Sequence, residues 1–180
     1  MQATGGTALS ARTVRLVAWA IALLGLAADQ GTKALALAHL DPANPPVLLG
    51  GLLVLQLIRN PGAAFSLGED FTVVLSGIAL AALVFVGGWL VPRIRHAGWA
   101  VGAGLLLAGI MGNLTDRLFR EPGPFHGHVI DFLQVPYFAI FNVADICITF
   151  AAVAIIWLTA VRQVGIDGLS TRDAPAQAEA

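Results

Sequence analysis

Charge is what this chain has least of. Asp, Glu, Lys and Arg make up 12% of its 180 residues, 57% are hydrophobic, and mean hydropathy is +0.80. Soluble domains carry about 25% charged residues, so an ordinary soluble fold is excluded and a polytopic membrane protein is implied. Cysteine is nearly absent: Cys147 stands alone. That excludes an internal disulfide and a multi-cysteine metal site, and two residues after Asp145 in an apolar run it reads as a small buried hydrophobe. Net charge is −1, with no basic block and no basic-aromatic interleaving, so nucleic acid is excluded as a partner. Ser66, Ser76 and Cys147 have no histidine phrase beside them, which leaves no serine or cysteine hydrolase set. No phosphate-cradling loop occurs.

What is present divides into four apolar segments. Residues 1–13 are expected to form a mobile N-terminus and residues 163–180 a disordered tail, with a four-helix membrane domain over 14–162. Helix 1 is expected over Val14–Ala38, long enough at ~1.5 Å per residue to cross a hydrocarbon core of ~30 Å. Arg12 and Arg15 before an apolar run, with Ala34-Leu35-Ala36 after it, resemble a signal peptide. The pattern continues past Asp29 and Lys33 to Leu40, however, which favours a retained helix. Asp41-Pro42, Asn44, Pro45 and Pro46 break it. Val47–Ile58 is apolar but too short to span, and Gly50-Gly51 divides it, which suits a hairpin or two short strands lying at the membrane surface. Arg59–Phe65 reads as a turn. Helix 2 is expected over Phe71–Leu90, helix 3 over Trp99–Leu118 and helix 4 over Tyr137–Val161. Helix 3 carries small residues that let a neighbour approach closely. Trp19, Trp89, Trp99 and Trp157 read as interfacial anchors or packing.

Lysine and arginine set the expected orientation. Arg12, Arg15, Arg93, Arg95, Arg162 and Arg172 fall on one side; Lys33, Arg59, Arg117 and Arg120 fall on the other. The positive-inside rule then puts both termini in the cytoplasm. With that topology Asp29, Lys33, Asn60, Asn113, Asp116, Arg117, Asp131, Asn142 and Asp145 all converge near the outer surface. This is one site, not a path across the membrane. Asn113 and Asp116, like Asn142 and Asp145, are three residues apart and so share a helix face. Two such faces, with Asp131 between them in sequence, can bring two carboxylates together. Adjacent carboxylates do not both ionise easily; one can then act as base while the other acts as acid.

Five phrases carry a resemblance. They are Asp29-Gln30-Gly31-Thr32-Lys33, Asn60-Pro61-Gly62-Ala63-Ala64-Phe65-Ser66, Gly112-Asn113-Leu114-Thr115-Asp116-Arg117, Val129-Ile130-Asp131-Phe132 and Phe141-Asn142-Val143-Ala144-Asp145. In that order, at the ends of four apolar helices, the chain resembles the bacterial lipoprotein signal peptidase (signal peptidase II) family from about Leu16 to Val161. The resemblance implies an all-α membrane fold with a small extracytoplasmic sheet between helices 1 and 2. It implies an aspartyl endopeptidase of the bacterial cytoplasmic (inner) membrane, active site towards the extracytoplasmic face. The substrates implied are diacylglyceryl-modified prolipoproteins, cut just before the lipidated cysteine. Asp131 and Asp145 match the catalytic pair. Asp29, Lys33, Asn60, Asn113, Asp116, Arg117 and Asn142 match supporting positions, with Asn142 orienting the pair or the scissile carbonyl. Asp116-Arg117 would be an ion pair holding the outer end of helix 3. A monomer embedded in membrane lipid, with no cofactor and no metal, is expected. The loop through Glu121–His128 is longer than in many members.

Blander readings stand beside these. Asp29 and Lys33 could be an ion pair snorkelling to the interface, and Asn113 and Asn142 interhelical hydrogen-bond glue. Asp131 could be an exposed loop carboxylate, and Asp145 a charge favoured by a helix N-terminus. His126-Gly127-His128 has metal-like spacing without further ligands. A proton-coupled carrier using Asp29, Asp116 and Asp145 would need polar residues at mid-membrane. A scaffold without catalysis would not require both Asp131 and Asp145.

Overall fold

The structure, a computed structural model, describes residues 10–62 and 70–170, Asp70 and Phe71 by their backbone alone. It contains four helices long and apolar enough to cross a membrane. Helix α1 spans Ala11–His39. The Ser10 hydroxyl accepts from Thr13 N at 3.1 Å, satisfying one of the unpaired N–H groups of the first turn. That cap starts the helix at Ala11, ahead of the expected Val14, so residues 11–13 join it. Its buried residues, Val14, Ala18, Ala22, Asp29, Lys33 and Ala36, follow three- and four-residue spacings and form one stripe.

Helix α3, Ala97–Phe119, receives that stripe. In its apolar stretch 61% of residues are buried, against 17%, 17% and 22% in the other three spans, so α3 is the central helix. Missing side chains allow the approach. A Cβ on Gly104 would stand 2.7 Å from the Ala18 carbonyl oxygen, and one on Gly112 2.6 Å from Asp29 Oδ2. Helix α2, Asp70–Val84, runs on through a π turn, Phe85–Leu90, and a 3-10 turn, Val91–Arg93. Helix α4, Val143–Ile156, also ends in a π turn, Trp157–Val161. The packed apolar core joins Val14 and Ala18, Val86 and Val91, Trp99 and Ala103, and Leu158. It therefore fills the end where α1 and α3 begin and where α2 and α4 finish.

The β element bears out one expectation and corrects another. Strands β1, Val47–Leu48, and β2, Leu53–Val54, form the expected hairpin, with Val47 opposite Val54. Its turn holds Gly50 and Gly51 at φ +64° and +95°, which glycine adopts without steric cost. Arg59 and Asn60, however, are not in a turn. They belong to β3, Ile58–Asn60, which pairs antiparallel with β4, Val129–Asp131. The expected sheet between α1 and α2 is the β1–β2 pair, and a second two-stranded sheet joins β3 to β4 from the α3–α4 connection. In this register Ile58, Asn60, Val129 and Asp131 share one face, as cross-strand partners do. Ala63–Ser66 of the same phrase lie outside the described residues.

Two further differences concern the C-terminal part. Helix α4 starts at Val143, not Tyr137. Tyr137 has φ +62° and Asn142 is an extended N-cap; neither fits inside a helix. The tail expected from residue 163 is ordered as far as Ser170. Trp99 Nε1 donates to the Val164 carbonyl at 2.9 Å, Arg95 N to the Ile166 carbonyl at 2.8 Å, and Ile166 packs on the core. The apolar side chains there make that docking favourable. Residues 1–9 and 171–180 lie outside the described residues.

Candidate active site

The end of the bundle opposite the apolar core gathers Asp29, Lys33, Asn60, Asn113, Asp116, Arg117, Asp131, Asn142 and Asp145. Asp131 closes β4 and is 2% exposed. Its Oδ2 accepts from Asn60 Nδ2 at 2.9 Å, its diagonal neighbour on the strand face. Its Oδ1 accepts from Asn142 Nδ2 at 2.6 Å. Burial drives the Asp131 pKa up from 3.8 to about 6. The two amide donors oppose that rise, the Asp145 charge adds to it and the Lys33 charge lowers it.

Asp145 sits at the third position of α4 and is half-buried. It forms a capping box with Asn142. Asp145 N donates to Asn142 Oδ1 and Asn142 N donates to Asp145 Oδ2, both at 3.1 Å. Asn113, on α3, completes the connection. Its Nδ2 donates to Asp145 Oδ1 at 2.9 Å, and its Oδ1 accepts from Asn142 Nδ2 at 3.1 Å. The two carboxylates are therefore linked through Asn142 and Asn113. Both line a pocket of about 500 Å³ whose apolar wall includes Phe138, Ile146 and Phe150.

Beneath the two carboxylates lies a buried ion cluster. Lys33 Nζ is 2.8 Å from Asp29 Oδ2 and 2.8 Å from Asp116 Oδ2, all three side chains at 0% exposure. It also donates to Asn113 Oδ1 at 3.1 Å. Lys33 does not snorkel outward; it is clamped between α1 and α3. Asp29 Oδ1 accepts from Ala144 N at 2.8 Å, satisfying an unpaired N–H at the start of α4 where negative charge is favoured. Asp116 Oδ2 accepts from Ile130 N at 3.1 Å. One ammonium thus ties α1 and α3 together, while its two carboxylates hold α4 and β4. Isolated charges at such depth would be prohibitive, whereas paired and hydrogen-bonded ones are sustainable.

The expected Asp116–Arg117 ion pair is not made. Asp116 pairs with Lys33 and with Arg120, whose Nε is 2.6 Å from Asp116 Oδ1, because a partner four residues on shares its helix face and one residue on does not. Arg117 instead feels the charges of Asp131, Asp116 and Asp145, and its Nη1 is buried without a hydrogen-bond partner among the described residues. Sequence reasoning missed Gln30 and Arg120. Gln30 Nε2 donates to the Gly112 carbonyl at 3.0 Å and to Asp116 Oδ1 and Asp29 Oδ2 at 3.2 Å each. The four-residue spacing of Asp116 and Arg120 was a usable signal; nothing local marked Gln30. His126 is exposed, its Nδ1 3.0 Å from the Pro124 carbonyl oxygen, and joins none of these bonds.

Known proteins place the whole arrangement in context. The model of the family described as signal peptidase (SPase) II matches residues 21–161. A lipoprotein signal peptidase of Leifsonia xyli subsp. xyli is 49% identical over 154 residues, 85% of this chain and 70% of that one. Proteins of the same name from Rhodococcus jostii and Mycobacterium avium are 43% and 42% identical, covering 82% and 87% of this chain and 74% and 86% of theirs. A bacterial membrane enzyme solved by the in meso method at 1.9 Å superposes with a TM-score of 0.63 at 26% identity, covering 85% of this chain and 95% of that one. Another, at 2.3 Å, gives 0.62 at 26% identity, covering 84% and 89%. The chain, a four-span membrane protein, belongs to the signal peptidase II family.

Proposed function

We propose that this protein is an aspartyl endopeptidase of the bacterial cytoplasmic membrane. It removes signal peptides from prolipoproteins whose cysteine already carries diacylglycerol, and it cuts just before that cysteine. The observation that carries this reading is the pair Asp131 and Asp145 on one pocket, joined through Asn142 and Asn113. The names of the relatives, lipoprotein signal peptidase, support the substrate class.

The chemistry follows from the unequal surroundings of the two carboxyls. Asp131, buried and raised to about 6, is the member that keeps a proton. Asp145, half-buried beside the pocket, is the member that acts as base. Asp145 takes a proton from water as the water oxygen attacks the scissile carbonyl carbon, and Asp131 gives its proton to the carbonyl oxygen. As the tetrahedral species collapses, Asp145 returns its proton to the leaving amine, the C–N bond breaks and Asp131 recovers a proton from the hydroxyl. Asn142 orients Asp131 and Asn113 orients Asp145. No step calls for a metal or organic cofactor. The lipid chains rest in the bilayer beside the helices, which keeps the substrate in the membrane and raises its effective concentration. The site faces the extracytoplasmic side and both termini the cytoplasm, in keeping with the arginines at the other end.

A proton-coupled carrier would need polar groups continuing through the bundle. Val14, Ala18, Val86, Leu107 and Leu158 fill that path instead. The test is purified protein given a lipid-modified and an unmodified precursor. Release of a product that begins at the lipidated cysteine, from the modified precursor, is expected. Cleavage elsewhere, or none, contradicts the reading.

A further inference from the structure

From Thr72 to Val84 helix α2 carries no charged residue, yet it carries two hydroxyls with almost no exposure. Thr72 and Ser76 are 1% and 0% exposed and, four residues apart, share a helix face. A hydroxyl in an apolar helix ordinarily returns its hydrogen to the carbonyl of its own preceding turn. Ser76 has that acceptor, the Thr72 carbonyl at 2.8 Å, but equally the Phe125 carbonyl at 2.8 Å. Thr72 Oγ1 donates to the Pro61 carbonyl. Both outside acceptors lie on connections that lead to the site.

Their places in the chain are informative. Pro61 directly follows Asn60, the last residue of β3, and Phe125 lies four residues before Val129, the first residue of β4. Asn60 and Val129 are paired, so the two hydroxyls hold the segments that leave β3 and lead into β4 at the same end of the ladder. That ladder is three residues long, and it places Asn60 diagonally opposite Asp131, with the Val54–Gln134 bridge beyond its other end. Among the described residues the loop leading into it is also held to the end of α3 by Gly127 N to the Arg117 carbonyl at 3.1 Å, and within itself by His128 N to the Glu121 carbonyl and His126 N to the Gly123 carbonyl, both at 3.0 Å. Phe125 itself sits at φ +66°, a left-handed conformation that an aromatic residue holds only when its surroundings impose it.

We propose that Thr72 and Ser76 are positioning residues for Asp131: their hydroxyls fasten the Pro61 and Phe125 carbonyls to α2 and so fix the strand pair on which Asn60 and Asp131 meet. This rests on Asp131 being one of the catalytic pair. The apolar span thereby serves the chemistry through two backbone carbonyls and touches no reacting atom. It also ties the long loop to α2, beside the bonds that hold it to the end of α3.

The experiment compares Thr72→Val, Thr72→Ser, Ser76→Ala and Asp131→Asn in purified full-length protein, measuring kcat and KM per folded molecule on a lipid-modified precursor. Thr72→Val keeps the side-chain shape and removes the donor, so the fold survives. A misplacement of about 1 Å costs on the order of a hundredfold in rate. Thr72→Val and Ser76→Ala are each expected to lower kcat at least about tenfold, KM staying within about twofold, while Thr72→Ser holds kcat near wild type. Amide exchange across Phe125–Asp131 should quicken in the two variants that lose a hydroxyl. The proposal falls if kcat holds in both, if Thr72→Ser loses as much as Thr72→Val, or if the loss is entirely in KM. An inactive Asp131→Asn beside unaffected Thr72→Val and Ser76→Ala sinks the clamp alone. A fully active Asp131→Asn sinks both the clamp and the aspartyl reading.

Discussion

Asp131 holds its proton against two amide donors and a nearby ammonium because burial outweighs all three. The unfolded chain would lose that proton near 3.8 and the folded one near 6. Between those values the folded state binds more protons, so stability falls as pH rises. The difference corresponds to about 3 kcal/mol, present in full below 3.8 and lost by the time pH passes 6. Asp131→Asn removes this dependence. The variant should gain on wild type by up to about 3 kcal/mol between pH 4 and pH 8, read as a rising difference in melting temperature in detergent; a constant difference contradicts the assignment. Most of the site was legible at this scale, since Asp29, Lys33, Asn60, Asn113, Asp131, Asn142 and Asp145 all enter one network. Which partner each takes was not. Asp116 pairs with Arg120 and not Arg117, and Gln30 enters through the fold alone.

At the scale of elements, the Lys33 cluster joins α1 to α3 and, through Ala144 N and Ile130 N, to α4 and β4. Lys33→Met leaves two buried carboxylates facing each other without their counter-charge. It should cost about 3–5 kcal/mol and most of the activity, seen as a lowered melting temperature; an unchanged one would mean that the cluster does not hold these elements. Gly112 makes the same junction possible from the other side. Gly112→Ala would set a methyl 2.6 Å from Asp29 Oδ2 and 2.9 Å from Ala144 Cβ. We expect a loss of about 1–3 kcal/mol. Gly31→Ala, with nothing within 4 Å, should be neutral or stabilising by about 0.5–1 kcal/mol. Equal effects from the two would contradict the packing described. The four spans were legible because each is a long apolar run bounded by proline, glycine or charge. The start of α4 was misplaced because Asn142 and Asp145 read equally well as a shared helix face and as a capping box. The β3–β4 ladder was hidden because three-residue strands 71 residues apart leave no periodic trace.

For the whole molecule, the apolar and polar ends of the bundle are the main result. Reading alternating helices through the charge bias already predicted that every unusual polar residue gathers at one end. Docking of residues 163–170 was not predicted, because composition alone does not say that Val164 and Ile166 find a place beside Trp99. Orientation has its own check. In a Cys147→Ala background, an impermeant maleimide on intact cells should label Ala43→Cys, exposed before the hairpin, and spare Ala97→Cys, exposed at the other end. The reverse pattern would invert the site.

The central claim is that Asp131 and Asp145 act together on one bond. Its most direct test is the rate at which purified Asp131→Asn and Asp145→Asn, each shown to be folded, cleave a diacylglyceryl-modified precursor. The account predicts that either variant loses at least about a thousandfold, in the range found when an acid or base is removed. Near-normal cleavage by one of them, with its fold intact, would contradict it.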